Sequence, residues 1–323
     1  MADSTRAVLK LALPDTHRAR PAVSIALRKV GIKGIKMPVS FMKLGSRDVL
    51  LVPSFDVYID LPPRRKGIDA SRSYEAVAEV FSTLVKRACK LEDLCSQISS
   101  DLLKRHEYAT RAEVRARAEV VVERRTPVTA MTTFEPYKVY ARASSRLIGG
   151  LIETQRAVGV KVVGVTACPC VAEGVRELSK AKLSEALASC GADPRILDSL
   201  PIATHMQRSE GTLLMDSPEG CDVDVLKLID IVESSMSSPT YELLKRKDEV
   251  DIVLRAVCSP RFVEDSIRLM ARGVVETFKH LPDDVRVYLA QRSWESIHKH
   301  DMVAIVRATL GELRLSLANE DGP

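Results

Sequence analysis

Aromatic residues are scarce in this chain: Phe, Tyr and Trp make up 4% of its 323 residues, and there is a single Trp. A protein that holds single strands of nucleic acid by base stacking needs more rings than that, so this class is disfavoured. A run of eighteen apolar residues is missing too, and with it the ordinary signal of a transmembrane helix. Met1, Ala2, Asp3, Ser4, Thr5 and Arg6 open the chain without the apolar stretch of a secretion signal, so a soluble protein of the cytoplasm is expected. Charge of one sign does not dominate: 48 Lys and Arg stand against 43 Asp and Glu, for a net charge of +5. That mild bias, mixed along the chain, is no nucleic-acid footprint and suits a small polyanionic substrate. Seven cysteines, an odd number in a long chain, read as reduced thiols, most of them small core hydrophobes, rather than as a disulfide framework.

What the chain does contain is enough apolar residue, 46%, for one large domain or two ordinary modules. Residues 21–36 and 48–60 read as strands, the second alternating around Leu50, Val52, Phe55, Val57 and Ile59. Pro62 and Pro63 break that pattern and lead into a basic loop, Arg64, Arg65, Lys66. Over residues 73–106 apolar side chains recur at three- and four-residue steps, which predicts one long amphipathic helix. Alternation over residues 114–122 predicts a strand with one wet face, and residues 137–165 predict a strand pair interrupted at Gly149 and Gly150. In the second half, helices are expected over 171–190, 222–235 and 260–280, strands at 211–215 and 302–308, and then a polar tail. The class is α+β, as two modules that each pair antiparallel strands with helices on one face.

The strongest local signal for chemistry is Thr166, Ala167, Cys168, Pro169, Cys170, where a strand gives way to a helix. A thiol at a helix N-terminus is pushed toward the thiolate that binds metals. His205 lies in the polar cluster Thr204, His205, Met206, Gln207, Arg208, Ser209, and His298 and His300 lie in Glu295, Ser296, Ile297, His298, Lys299, His300. A lone histidine is usually a surface or hydrogen-bonded residue. A histidine, a cysteine and a carboxylate that converge are what a catalytic zinc or ferrous site needs. Two carboxylates stand out: Glu249, closing a charge run that otherwise reads as a solvated helix end, and Glu264, which follows Phe262 and Val263 and is expected to be partly buried and paired.

Taken in order, these blocks resemble the GTP cyclohydrolase type IB family, and its archaeal branch most closely. The resemblance rests on residues 55–67, on Thr166 to Cys170, on Thr204 to Ser209, on Tyr241 to Glu249, on Arg261 to Asp265 and on Glu295 to His300, and so spans nearly the whole chain. It implies the tunnelling fold, with two modules divided at 1–165 and 166–323, assembled as a homodimer or homotetramer with active sites between subunits.

The resemblance also implies roles, position by position. Cys168, His205 and Glu249 would hold the catalytic metal, ferrous iron with manganese or zinc as alternatives. Glu264 would anchor the guanine edge of GTP, and Glu295 and His298, with Cys168, would serve the chemistry. Arg64, Arg65, Lys66 and Arg208 are candidates for the triphosphate from charge and loop placement. Met206 stands where the family commonly has asparagine, and Lys247 where it has proline. The long stretch between Cys170 and His205 resembles the archaeal enzymes, so 7,8-dihydroneopterin 2',3'-cyclic phosphate is the expected product and the triphosphate the alternative. Two other readings compete. A nitrile reductase of the same fold would use Cys168 as nucleophile and leave His205 and Glu249 no metal to hold, and a nucleic-acid or assembly protein would bind in a salt-dependent way.

Overall fold

The structure is a computed structural model that describes residues 15–44, 47–84, 89–191 and 193–319. Its spine is one antiparallel sheet. The N-terminal strands are β1 (Leu27–Lys36), β4 (Ser54–Leu61), β5 (Arg111–Arg125), β6 (Thr132–Ile148) and β7 (Leu151–Ala167). The C-terminal ones are β8 (Met206–Asp216), β10 (Arg286–Ser293) and β11 (Met302–Thr309), and the strands lie side by side in this order. A two-residue β9 (Ser238–Pro239) pairs with β7, and β2 (Val39–Leu44) with β3 (Arg47–Leu51) forms a separate ribbon.

Register makes the sheet two-faced. Ile35, Phe55, Ala116, Ala141, Val158, Met215, Val287 and Ala308 lie opposite one another strand by strand. Because side chains alternate along a strand, this row and its i±2 neighbours form one apolar face. Helices cover it: α1 (Ala70–Leu84), α2 (Leu91–Arg105), α4 (Val225–Ser235) and α6 (Val263–Thr277), with α3 (Pro169–Ser189), α5 (Arg246–Cys258) and α7 (Leu310–Ala318) alongside. Leu94, Ile98 and Leu102 of α2 meet Phe55, Val114 and Val139 of the sheet in one core. The opposite face carries Arg115, Arg117, Tyr140, Arg142, Lys161, Thr212 and Tyr288. The β6–β7 hairpin turns on Gly149 (φ +57°) and Gly150 (φ +85°), a pair of left-handed residues that a two-residue hairpin loop requires. The expected module boundary at residue 165 falls within β7, which pairs with β6 on one side and β8 on the other.

Several expectations need correction. The single helix over 73–106 is two helices. Lys90 caps α2 in extended conformation, and apolar spacing on either side of the break keeps helical period, so periodicity alone conceals it; residues 85–88 lie outside the described residues. The strand over 48–60 is split at Pro53, whose missing N–H ends the β3 ladder before β4 joins the main sheet. The tail is not polar coil but α7, started by a capping box in which Thr309 Oγ1 accepts from Glu312 N–H and Glu312 accepts from Thr309 N–H, with Leu310 fully buried. Strand β10 was not expected. Of the cysteines, Cys95 alone is buried, while Cys170, Cys190 and Cys258 are exposed.

Candidate active site

The ladder between β7 and β8 runs out at the pair Ala167 and Met206. One residue further, Cys168 N–H donates to the His205 carbonyl at 3.1 Å, and Thr204 Oγ1 donates to the Cys168 carbonyl at 2.7 Å. The thiol and the imidazole, 37 residues apart in sequence, thus become neighbours, and the chain between them is looped out as α3 and a short 3-10 helix, Pro194–Ser199. Arg261 N–H donates to the Ala167 carbonyl at 3.0 Å and brings the N-terminus of α6 alongside. Trp294 N–H donates to the Arg208 carbonyl at 3.0 Å, which carries the chain beyond β10 across the same opening.

Cys168, His205, Glu264, Glu295, His298 and His300 therefore line one pocket of about 320 Å³. Its floor is a closed ring of buried hydroxyls. Thr166 Oγ1 lies 2.7 Å from Ser209 Oγ and 3.1 Å from Ser293 Oγ, and Ser209 donates to Ser293 at 2.9 Å. Gln207 rises from this ring: its Nε2 reaches Thr166 Oγ1 at 3.4 Å and Glu295 Oε1 at 3.3 Å, and its Oε1 lies 3.0 Å from His205 Nδ1. The His205 and His298 ring centres are 6.3 Å apart, and His298 stacks on His300 at 5.2 Å. The lining arginine, Arg261, is fixed by Nη1 donating to the carbonyls of Ser234 and Met236 at the C-terminal end of α4.

The other expected residues stand elsewhere. Glu249, in the first turn of α5, is exposed and not on the pocket walls. Arg208 alternates with Ser209 and so points from the opposite face, into a second pocket of about 440 Å³ with Lys138, Lys161, Glu210 and Tyr241. Arg65 and Lys66 occupy the loop after β4, which β5 and β6 separate from β7 in the sheet. There Arg65 donates to Asp69 at 2.9 Å and lies over the Tyr108 ring at 3.8 Å. Glu264, expected to be partly buried, is exposed, because Val263, Ser266 and Ile267 take the buried stripe of α6. Sequence reasoning missed Gln207, Arg261 and the hydroxyl ring. Thr166, Ser209 and Ser293 each lie in the inward register of a strand, which becomes a signal only once strand pairing is known.

Thiol, imidazole and carboxylate donors around one opening fit a borderline-soft divalent metal by their chemistry. Cys168, His205 and Glu249 do not come together within one chain. Among the described residues only Asp15, His17 and Asp69 place three such atoms within 4.8 Å of one another, and there Arg18, Arg65 and Arg72 already pair with the carboxylates.

No helix among the described residues is long and apolar enough to cross a membrane. The fold is similar to that of uricase from Arthrobacter globiformis, with a TM-score of 0.51 at 7% identity over 87% of this chain and 93% of that one. That likeness and the antiparallel sheet with helices on one face make this the tunnelling fold. The chain is 41% identical to GTP cyclohydrolase MptA of Methanothermobacter thermautotrophicus over 96% of its own length and 97% of the relative's. It is 40% identical to GTP cyclohydrolase MptA of Methanococcoides burtonii over 95% and 97%. Residues 13–304 match the family described as Type I GTP cyclohydrolase folE2. By that match and by relatives near 40% identity along almost its full length, the chain belongs to the type I GTP cyclohydrolase folE2 family.

Proposed function

We propose that this protein is a metal-dependent GTP cyclohydrolase that opens the imidazole ring of guanine, releases formate and yields 7,8-dihydroneopterin 2',3'-cyclic phosphate, a first step toward a tetrahydromethanopterin-type cofactor. The observation that carries the reading is the convergence of Cys168, His205, Glu264, Glu295 and His298 on one pocket, in a chain whose relatives at 40–41% identity are named GTP cyclohydrolase MptA.

In this reading the carboxylate of Glu264 accepts from N1–H and the exocyclic amine of guanine, a two-point match that adenine cannot offer. Cys168 and His205 hold a divalent metal, ferrous iron with manganese or zinc able to substitute. When bound, that ion supplies the Lewis acidity that makes water a nucleophile toward C8 near neutral pH. Glu295, oriented by the Gln207 amide, and His298 at the pocket mouth move protons as the ring opens and C8 leaves as formate. Glu249, Arg65 and Lys66 lie off this pocket within one chain, so the reading places them, as metal ligand and triphosphate contacts, in the site of a neighbouring copy in a homodimer or homotetramer. Arg208, on the opposite face of β8, contacts the triphosphate only if that tail passes along that face. The chain reads as two modules divided near residue 165.

The test is to purify the protein without oxygen, load it with ferrous iron and supply GTP. Formate and the fluorescence of oxidised pterin are then measured for the wild type and for Cys168→Ala. Formate from the wild type alone supports the reading, and the product mass separates cyclic phosphate from triphosphate. No formate from metal-loaded, assembled protein refutes it.

A further inference from the structure

We infer that Gln207 is the positioning residue of this pocket: its amide sets the tautomer of His205, leaving the Nε2 lone pair for the pocket, and holds Glu295 from its other end. The argument is one of donors and acceptors. Gln207 presents one end of its amide to Glu295 Oε1 at 3.3 Å and Thr166 Oγ1 at 3.4 Å, and the other to His205 Nδ1 at 3.0 Å. The Nε2 end donates to both Glu295 Oε1 and Thr166 Oγ1, so the end facing His205 is the carbonyl oxygen. A carbonyl oxygen cannot donate. His205 Nδ1 therefore carries the hydrogen, shared with Ser296 Oγ at 3.2 Å, and in the neutral ring Nε2 is the unprotonated nitrogen.

The amide is held in this sense from below. Thr166, Ser209 and Ser293, each at most 1% exposed, close a ring of hydroxyls contributed by three neighbouring strands, and Thr166 Oγ1 takes the Gln207 N–H at its edge. Because sheet register fixes all three, the ring is a rigid base. Gln207 relays that rigidity to the imidazole and the carboxylate together, and an imidazole whose remote N–H is fixed by an acceptor is a better-oriented and more basic ligand. The link to metal binding rests on the proposed function; the tautomer does not.

The test uses full-length protein labelled with 15N in histidine, metal-free, at about pH 8.5, some two units above the ordinary imidazole pKa. His205→Asn assigns the His205 signals. The wild type is expected to show the Nδ1–H form at His205. Gln207→Glu, which keeps an acceptor toward Nδ1, is expected to retain it, and Gln207→Met is expected to show both tautomers. In chelator competition with zinc, Gln207→Met should bind about 10- to 100-fold more weakly and Gln207→Glu within about threefold of wild type. In GTP turnover Gln207→Glu should lose about 10-fold in kcat, because it no longer donates to Glu295. A purely structural role for Gln207 would lower the melting temperature and leave the tautomer and the relative zinc affinities unmoved. An Nε2–H form at His205 in the wild type, or an unchanged Nδ1–H form in Gln207→Met, overturns the inference. If Gln207→Met does not fold, Gln207→Ala, which also removes the acceptor, replaces it in the spectrum and in the zinc competition. If no formate is produced or no zinc is bound, the proposed function fails, while the tautomer still decides the role of Gln207.

Discussion

Thr129 and Asp248 meet across 119 residues of chain: Thr129 gives its backbone N–H at 2.9 Å and its hydroxyl at 2.6 Å to the two carboxylate oxygens of Asp248. The N–H groups of Val128 and Lys245 add bonds of 2.9 and 3.0 Å. This pins the first turn of α5 to the tip of the β5–β6 hairpin, and Glu249, the next residue, is held facing outward on a fixed frame.

Asp248→Asn should loosen that frame. Burial opposes the Asp248 charge, but the Thr129 hydroxyl and the three backbone donors outweigh it and hold the carboxyl well below its ordinary range. A depressed pKa means stability that is present above the unfolded value near 3.8 and is lost as pH falls through the folded one. The variant should melt lower than wild type at neutral pH, with the gap closing in strong acid. Equal melting temperatures at neutral pH would show that these bonds add nothing net.

Glu92 has the opposite sign. It sits 2% exposed in α2, and its desolvation raises its pKa to about 7, with Asp93 adding to the rise. Between pH 4.5 and about 7 the unfolded chain releases this proton while the folded one keeps it, so stability falls across that window and is flat above it. Glu92→Gln should stabilise by about 3 kcal/mol at pH 8 and be neutral near pH 4. Urea unfolding at the two pH values checks both the sign and the window.

His106 is fully buried, with Ser73 Oγ 3.1 Å from Nε2 and the Tyr108 hydroxyl 2.9 Å from Nδ1. Burial lowers its pKa from 6.5, and the nearby Arg72 and Arg65 add to the fall although Asp69 opposes it. Stability from this group is therefore full above pH 6.5 and is lost as pH drops through the folded value. His106→Gln should flatten the acid limb of the stability curve below pH 6.5. An unchanged limb would mean that another group titrates there.

Gln291 is fully buried in β10, and neither its amide nitrogen nor its oxygen finds a hydrogen-bond partner among the described residues. Removing an unsatisfied amide from the core while keeping its volume should help. Gln291→Met is expected to gain about 1 kcal/mol in chemical denaturation, and a loss of that size would show that the amide is satisfied in solution.

Much of the fold was legible because it follows from local pattern. Alternation in Phe55, Val57 and Ile59 and in Val114, Ala116 and Val120 marks strands whose inward side chains are indeed buried, and Gly149 and Gly150 mark the hairpin between the two longest strands. The break before Lys90 and the capping box at Thr309 were not read. Helical period continues across the first, and the second lies in a stretch that looked merely polar. At the site, Cys168, His205, Glu295 and His298 are nameable from their motifs, whereas Gln207 lies inside one of them and its part follows only from what it touches.

By itself the sequence singled out Cys168, His205, Glu264, Glu295 and His298 as candidates and most of the strands and helices that present them, because motif, period and capping act over a few residues at a time. Tertiary structure alone decided that Cys168 and His205 become neighbours where the β7–β8 ladder ends, that Arg208 turns to the opposite face from Ser209, and that Glu249 stays outside its own chain's pocket. Each of these depends on strand register and on bonds between residues tens of positions apart, such as Asp248 to Thr129, which no local pattern encodes.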